Sequence, residues 1–551
     1  MKPSLRTLTS AIALALGTAT LPTTAAAQLL AVTKLWTTGN TNGQAAAAAD
    51  RFSSEIGVWD PLSKSLFIAG GRGLEVLALD GARLQTFDAI SAGLGVINSI
   101  SIANGVAAVS FSNTTPQNPG TVQFFNTQLF RSSGGAAANL GSVTVGAVPD
   151  MVTWTAGGTK LLVANEGERQ SDSINPAGSI SVITFNSTTP SSSLVSTIGF
   201  TSFDGQEVAL RAAGVRIQAG VSASISLEPE YIAISADGSK AHVTMQENNA
   251  IAIIDLNTNT VSSIKGLGLK DFSKPGNGID PSDQDSQVLL RNVPVKGLYM
   301  PDAIASYSAK GKTFYVMANE GDAYVDDSDI GRFGNIAFTL DATVFTGANS
   351  QANLKVNSAL GRLNVVRTGA TGDGSSTNMT EIITLGGRSF SIRDENGDLV
   401  YDSGNSLEAA VIAAGGLYAD GRSDDKGMEP EGIALFKIGD RTLAAIGLER
   451  TSESVVALYD VTDPDAVSFL QLIRSGSTAH YRVEGITVFE EAGKTYLAML
   501  NEDTGNPFSS GAPANSTILF EVSVVPEPST YGLMALGLLA VAGAARRRRR
   551  A

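Results

Sequence analysis

The sequence predicts an all-β fold, a seven-bladed β-propeller with insertions that is closed by an N-terminal strand. Three observations lead there. First, the stretch 227–264 (LEPEYIAISADGSKAHVTMQENNAIAIIDLNTNTVSSI) places short apolar, β-branched runs at 231–235, 241–245, 250–255 and 261–264. Turn residues separate them, Asp237-Gly238, Asn248-Asn249 and 257–259, which is the signature of a four-stranded antiparallel meander. Second, an acid or Asn followed by an apolar strand, a turn and a second strand recurs from Glu55, Asn98, Asp150, Glu230, Asp302, Glu431 and Glu484. Third, 29–36 (LLAVTKLW) reads as a strand with nothing before it to pair with, while the last repeat ends at its third strand, 517–522. Lending the first strand to the last repeat satisfies both.

A lone meander cannot bury both its faces, so each repeat requires neighbours of its own kind. A ring of such sheets removes exposed edges. Third strands are expected at 74–80, 121–126, 179–185 and 455–460. With SADGSKAHVT as its first hairpin and NAIAIIDLNTNTV as its second, 227–264 resembles a YVTN-type β-propeller repeat.

In chain order, 1–27 carries Lys2 and Arg6, an apolar run over 8–21 and Ala25-Ala26-Ala27, which reads as a secretory signal peptide. Residues 28–525 then form one large domain. Loops are expected at 39–49, 113–119 and 187–193, and larger insertions at about 266–293 and 345–428. The second insertion holds a hairpin at 389–403, turning at Glu395-Asn396-Gly397-Asp398, as a small subdomain. The only short helix is expected at 406–415 (SLEAAVIAAG). At the far end stand Pro526, Glu527 and Pro528, an apolar stretch over 531–545, and five arginines at 546–550. That stretch is shorter than the roughly 20 apolar residues that span a bilayer. The tail resembles the PEP-CTERM sorting signal, which implies recognition and removal by an exosortase at the inner membrane and export to the cell surface.

The formal charge is −14, and removing seven positive charges and one negative with the two ends leaves −20 for 28–525. A body this acidic, without a basic stripe, argues against nucleic acid and suits cations or a hydrated matrix. No cysteine is present, so neither disulfides nor thiolate metal sites contribute. The two histidines, His242 and His480, are too few for a multi-histidine metal centre.

Strand order places the candidate chemistry. The loop into a repeat's first strand and the loop out of its second lie on one rim, because the chain runs down one strand and up the next. The incoming positions hold Glu55, Asp150, Glu230, Asp302, Glu431 and Glu484, and the outgoing ones Glu166, Glu247, Glu320, Glu449 and Glu502. Asp302, Glu320, Glu431 and Glu449 lead as metal ligands, with Asp322 and Asp326 of the adjoining 322–329 loop completing an oxygen shell. So many carboxylates must be solvated, protonated or bound to a hard cation such as Ca²⁺ or Mg²⁺. The structural alternative is that each acid accepts backbone amides. The series Asp394, Asn396 and Asp398 has calcium-loop spacing but lacks the Gly and Glu positions of such a loop, so a tight turn explains it. Gly70-Gly71-Arg72-Gly73 lies in a hairpin with no helix behind it to cradle phosphate. His480 sits near the rim in a loop, and no GxSxG occurs.

Taken with GLYMPDAIASY, MANEGDA, SFSIRDENGDLVYDSG and KGMEPEGIALF, the body from about 30 to 522 resembles the choice-of-anchor I family. The resemblance implies a surface-directed propeller whose C-terminal anchoring signal varies between members, related to the mesenchyme-specific cell-surface glycoproteins. Some relatives carry an alkaline-phosphatase label, but the resemblance supplies no catalytic residues. Where the resemblance implies ANEGDAR, this chain has Tyr324 in place of the arginine that could meet phosphate. Two functions stay open. The favoured one is a non-enzymatic surface protein whose acidic rim binds a cation, an extracellular polysaccharide or another surface protein. The alternative is a calcium-dependent phosphoesterase using rim carboxylates. If the tail is a processing signal, mass spectrometry of the surface-exposed protein finds no peptide from 546–550; recovery of the intact C-terminus would show a permanent anchor instead.

Overall fold

The meander read at 227–264 forms as Ile232–Ile234, Lys240–Met245, Ala250–Asp255 and Thr260–Gly266, each antiparallel to the one before it. Asn249 and Asn259 take φ of 48° and 53° in its turns, a left-handed conformation that asparagine tolerates better than most residues. The chain is described here from a computed structural model over residues 30–39, 54–171, 174–323, 329–372, 378–477, 482–502 and 516–525. The expected signal peptide, the sorting segment from 526 on, Asp326, Tyr324 and His480 lie outside those residues.

Seven four-stranded sheets occur among the described residues. Their first strands are Ile56–Asp60, Ile97–Ala103, Pro149–Trp154, Ile232–Ile234, Ile304–Ala309, Pro430–Ile438 and Val483–Glu491, in chain order. Second strands such as Ser65–Gly70 and third strands such as Val455–Asp460 are almost wholly buried, which is why they read as near-continuous apolar runs. The seventh sheet has the order Leu30–Gly39, Ser516–Val524, Lys494–Asn501, Val483–Glu491, with the N-terminal strand outermost. That strand also reaches the flanking sheets: Lys34 Nζ donates to the Ser475 carbonyl at 3.0 Å and Trp36 Nε1 to that of Leu79 at 2.8 Å.

Apolar side chains between consecutive sheets form the core. Phe67, Val109 and Phe125 join the first and second sheets, and Leu162, Ile180, Val243 and Ile254 the third and fourth. Phe390, Ile446 and Tyr459 join the fifth and sixth. Trp59 of the first sheet stacks on Phe489 of the seventh with ring centroids 4.5 Å apart, within a cluster that includes Leu66, Leu500 and Leu519. Each such side chain contributes about 1.5–3 kcal/mol on burial, so the contacts between sheets, rather than single hairpins, hold the chain together.

Three expectations need correction. The hairpin assigned to the 345–428 insertion is Ser389–Arg393 and Leu399–Asp402, and it completes the fifth sheet beside Lys312–Asn319. Alternation of apolar residues defines a strand but not its partner, and Lys312–Asn319 had an edge to fill. The second insertion therefore lies between the second and third strands of the fifth sheet. The two insertions also fold together: Leu269–Asp271 pairs with Lys296–Leu298, which runs parallel to Ile383–Thr384. Phe272 and Val293 of the first then share a core with Phe333, Leu354 and Leu363 of the second. Finally, Ser406–Ala414 is helical but not alone, since Thr127–Ser133 and Glu207–Ala212 are helices too. The Asn126 side chain caps the former by accepting from Leu129 N at 2.9 Å. Among the described residues no helix is long and apolar enough to cross a membrane.

Glycines set how closely the first strands approach. A Cβ on Gly485 would lie 1.9 Å from the Glu55 carbonyl oxygen, and one on Gly432 2.6 Å from that of Glu484. Gly485→Ala is expected to lower unfolding free energy by about 1–3 kcal/mol, whereas Gly199→Ala, with nothing within 4 Å of its Cβ, stays near neutral. Urea unfolding of both variants checks this, and equal stabilities would show that the approach is slack.

Candidate functional site

Local backbone geometry, repeated from sheet to sheet, aims the acids. Pairing in the third sheet passes from Pro149 directly to Met151, and in the seventh from Val483 to Gly485, so Asp150 and Glu484 are bulge residues outside the ladder. Glu431 sits in a similar break between Pro430 and Ile433. A bulge bends the strand and re-aims a side chain. Two residues before the acids, Val148, Met300, Glu429 and Arg482 have φ between 45° and 62°. For a residue as bulky as valine this conformation is strained, and such strain gathers at functional sites. It turns carbonyls toward the outgoing loop: Val148 O accepts from Glu166 N at 2.8 Å, Glu429 O from Glu449 N at 3.0 Å, and Arg482 O from Glu502 N at 3.0 Å. Incoming and outgoing acids of one sheet are thus tied together.

A cavity of about 490 Å³ results. Asp150, Glu166, Glu230, Glu247 and Asp302 line it, as do Glu320, Asp322, Glu431, Glu449 and Glu484. Glu502 pairs with Arg482 at 2.9 Å behind that lining. Glu55 instead lines an adjoining space of about 390 Å³, which shares Asp150, Asp302, Glu431 and Glu484. Asp394 accepts from Asn396 N and Asp398 N, and Asp398 pairs with Lys265 at 2.6 Å, which closes a turn. His242 is buried against Tyr315, ring centroids 3.6 Å apart.

The sequence reading missed the cations. Lys426 Nζ lies 2.7 Å from Glu320 and 3.1 Å from Glu429, and Glu429 also meets Arg422. Glu449 is held by Arg450 at 3.1 Å and Arg482 at 2.5 Å. Glu320 further accepts from Gln246 at 2.8 Å. Glu168 and Glu228, lining acids, were also missed. A signal existed for part of this: Glu228-Pro229-Glu230 and Glu429-Pro430-Glu431 repeat the same triplet in two sheets. Two groups bring three carboxylate oxygens within 4.8 Å of one another, Glu320 with Glu429 and Glu449, and Glu431 with Glu449 and Glu484.

A family model for the choice-of-anchor I domain matches residues 55–464, well over half of the chain. The chain belongs to the choice-of-anchor I family. A PEP-CTERM protein-sorting motif matches residues 524–550, which implies export and processing by exosortase-type machinery. No curated protein matches this choice-of-anchor I chain. Among solved structures, the β-propeller domain of Cps50 (Swd1) from Myceliophteria thermophila is 8% identical, covers 89% of this chain and 100% of its own, and has a TM-score of 0.41. Hydrazine synthase from Kuenenia stuttgartiensis is 10% identical over 83% and 95%, with a TM-score of 0.42. The WD40 domain of Toxoplasma gondii coronin is 8% identical over 91% and 88%, also at 0.42. Likenesses at that level say nothing about what the choice-of-anchor I chain binds.

Burial crowds like charge on both sides of the cavity of this choice-of-anchor I domain, and it raises Glu431 and Glu484 as well as acids of the third and fourth sheets. On the side of the fifth to seventh sheets, burial raises Glu320 to about 7 against the pull of Lys426. Burial pushes Glu429 the same way, but Lys426, Arg422 and Arg450 outweigh it and bring its carboxyl down to about 2. On the side of the third and fourth sheets, burial and neighbouring carboxylates raise Glu166, Glu228 and Glu230 well above the ordinary range. Burial, with Asp322 and Glu168 nearby, takes Glu247 to about 8, and burial with Glu168 takes Asp150 to about 7. An acid whose folded pKa is raised binds its proton more tightly folded than unfolded. Its contribution is full below the ordinary value near pH 4 and is lost as pH rises through 7 to 8. In chelator, urea unfolding is therefore expected to show stability falling from pH 5 to pH 8.5. Glu247→Gln should recover about 1 kcal/mol or more at the alkaline end. A flat profile would mean that solvent already relieves the repulsion.

Proposed function

We propose that the chain is an exported, surface-directed binding protein: its seven sheets are the blades of one propeller closed between last and first, and its cavity holds a divalent cation, with Ca²⁺ the best fit. Residues 28–525 are the mature domain, released from a signal peptide at 1–27 and a sorting segment at 526–551. The observation that carries the cation is the Glu431, Glu449 and Glu484 group, whose oxygens lie within 4.8 Å. Glu431 and Glu484 each keep an oxygen with no hydrogen-bond partner among the described residues. Hard carboxylate oxygens at this spacing suit Ca²⁺, which accepts six to eight such ligands in flexible geometry. Asp302 shares the cavity and could complete the shell, whereas Glu320 is engaged by Lys426 and Gln246 and Glu449 would have to share its carboxylate with Arg450 and Arg482. A cation so placed would present open positions to hydroxyl or carboxylate oxygens of a matrix polysaccharide or a surface protein.

A second reading draws on Lys426, Arg450 and Arg482, which line the same cavity as the carboxylates. With a bound cation they could meet phosphoryl oxygens, as in a metal-dependent phosphoesterase. Hydrolysis of an aryl phosphate that requires Ca²⁺ and disappears in Glu431→Gln would favour it.

Thermal melts with calcium and with chelator test the common element. Free Ca²⁺ at a hundredfold its Kd should add about 2.7 kcal/mol to stability. Glu431→Gln should lose that gain and Glu490→Gln, on an exposed strand end, should keep it. Coincident melts in calcium, magnesium and chelator would remove the metal and the phosphoesterase together.

A further inference from the structure

The carboxylates that the third and fourth sheets contribute are not in the ion pairs with Lys426, Arg450 and Arg482 that hold Glu320 and Glu449. Glu228, Glu230 and Glu247 are 2%, 7% and 6% exposed, and Glu228 Oε1, Glu230 Oε2 and Glu247 Oε2 have no hydrogen-bond partner among the described residues. All three line the acidic cavity. A buried polar atom without a partner costs about 1–3 kcal/mol, more when charged, so three around one space point to a missing donor. Arg169 acts on Glu228, but Lys426, Arg450 and Arg482 belong to the other side of the lining.

No group of three converging carboxylates marks this side as a metal site among the described residues. The two groups whose carboxylate oxygens converge within 4.8 Å, among the described residues, both come from the fifth to seventh sheets. Glu228, Glu230 and Glu247 form no such group of three, although Glu247 and Glu230 interact side chain to side chain, and carboxylates that do not converge as a triad are matched by separate cationic donors. An alkylammonium group offers three N–H donors and needs no converging shell. Methylene segments between such groups would find an apolar face in Tyr231, which lines the adjoining space beside Asp150 and Asp302. An ammonium beside an aromatic ring gains a further attraction.

We propose that this side of the cavity binds a linear aliphatic polyamine, with Glu228, Glu230 and Glu247 each accepting from an ammonium group. The site is separate from the Glu431, Glu449 and Glu484 group and stands whether or not that group holds calcium.

Isothermal titration of the purified protein with spermidine, in chelator and about 0.15 M salt to screen surface attraction, tests it. Saturable binding is expected, at least tenfold weaker for butylamine and at least tenfold weaker in the double variant Glu228→Gln/Glu247→Gln. Glu431→Gln should bind spermidine like the parent while losing calcium, which separates failure of one site from failure of the other. Removing buried like charge should leave the double variant at least as stable as the parent at pH 8 without ligand; Glu247→Gln alone, expected to bind several-fold more weakly, repeats the test if the double variant does not fold. Absence of binding, or equal binding by parent and carboxamide variants, would overturn the proposal, as would calcium binding that is lost in Glu228→Gln/Glu247→Gln but kept in Glu431→Gln.

Discussion

Burial of like charge around one cavity is the constraint on which the rest of the structure depends. Ten of the acids singled out in the sequence line it, and burial raises the pKa of most of them. Left alone, such an arrangement repels itself and drives its members toward the protonated form. It persists because the framework over-determines it. Left-handed backbone at Val148, Glu429 and Arg482 fixes the outgoing acids through carbonyl to amide bonds, and bulges at Asp150 and Glu484 keep the incoming ones out of the ladder.

The framework draws its rigidity from the apolar contacts between sheets. The stack of Trp59 on Phe489 and the cluster around Leu66 and Leu519 bring the first and last sheets into one core, although more than 400 residues separate the two aromatics. Gly432 and Gly485 let neighbouring first strands approach closely enough to set Glu431, Glu484 and Glu55 in succession. Strain at the rim and packing between the sheets are therefore two sides of one design: the core supplies what the charged lining costs.

The lining has solved its charge problem in two ways. On the side of the fifth to seventh sheets, Lys426, Arg422, Arg450 and Arg482 neutralise Glu320, Glu429, Glu449 and Glu502. Glu228, Glu230 and Glu247 on the side of the third and fourth sheets, like Glu431 and Glu484 on the other, instead keep an oxygen without a hydrogen-bond partner among the described residues. The first arrangement is that of a site largely set in advance; the second is one in which protons or a ligand must supply the counter-charge. Membership of the choice-of-anchor I family and the PEP-CTERM motif place this cavity in an exported protein.

Sequence alone determined the elements that depend on local chemistry. The short apolar runs and turn residues located strands within a residue or two, as at Lys240–Met245 in the meander and Val455–Asp460 in the sixth sheet. The acids before the first strands and after the second strands together marked nine of the lining acids, because strand direction alone puts incoming and outgoing loops on one rim. Tertiary structure decided what depends on partners distant in the chain. It gave Ser389–Arg393 to the fifth sheet and folded two insertions into one core around Phe272 and Phe333. It brought Lys426 and Arg482 against acids that no spacing connects to them. A strand pattern records which face is apolar but not which edge it meets, and a charge records its sign but not its neighbour. Those choices are settled only when the sheets pack.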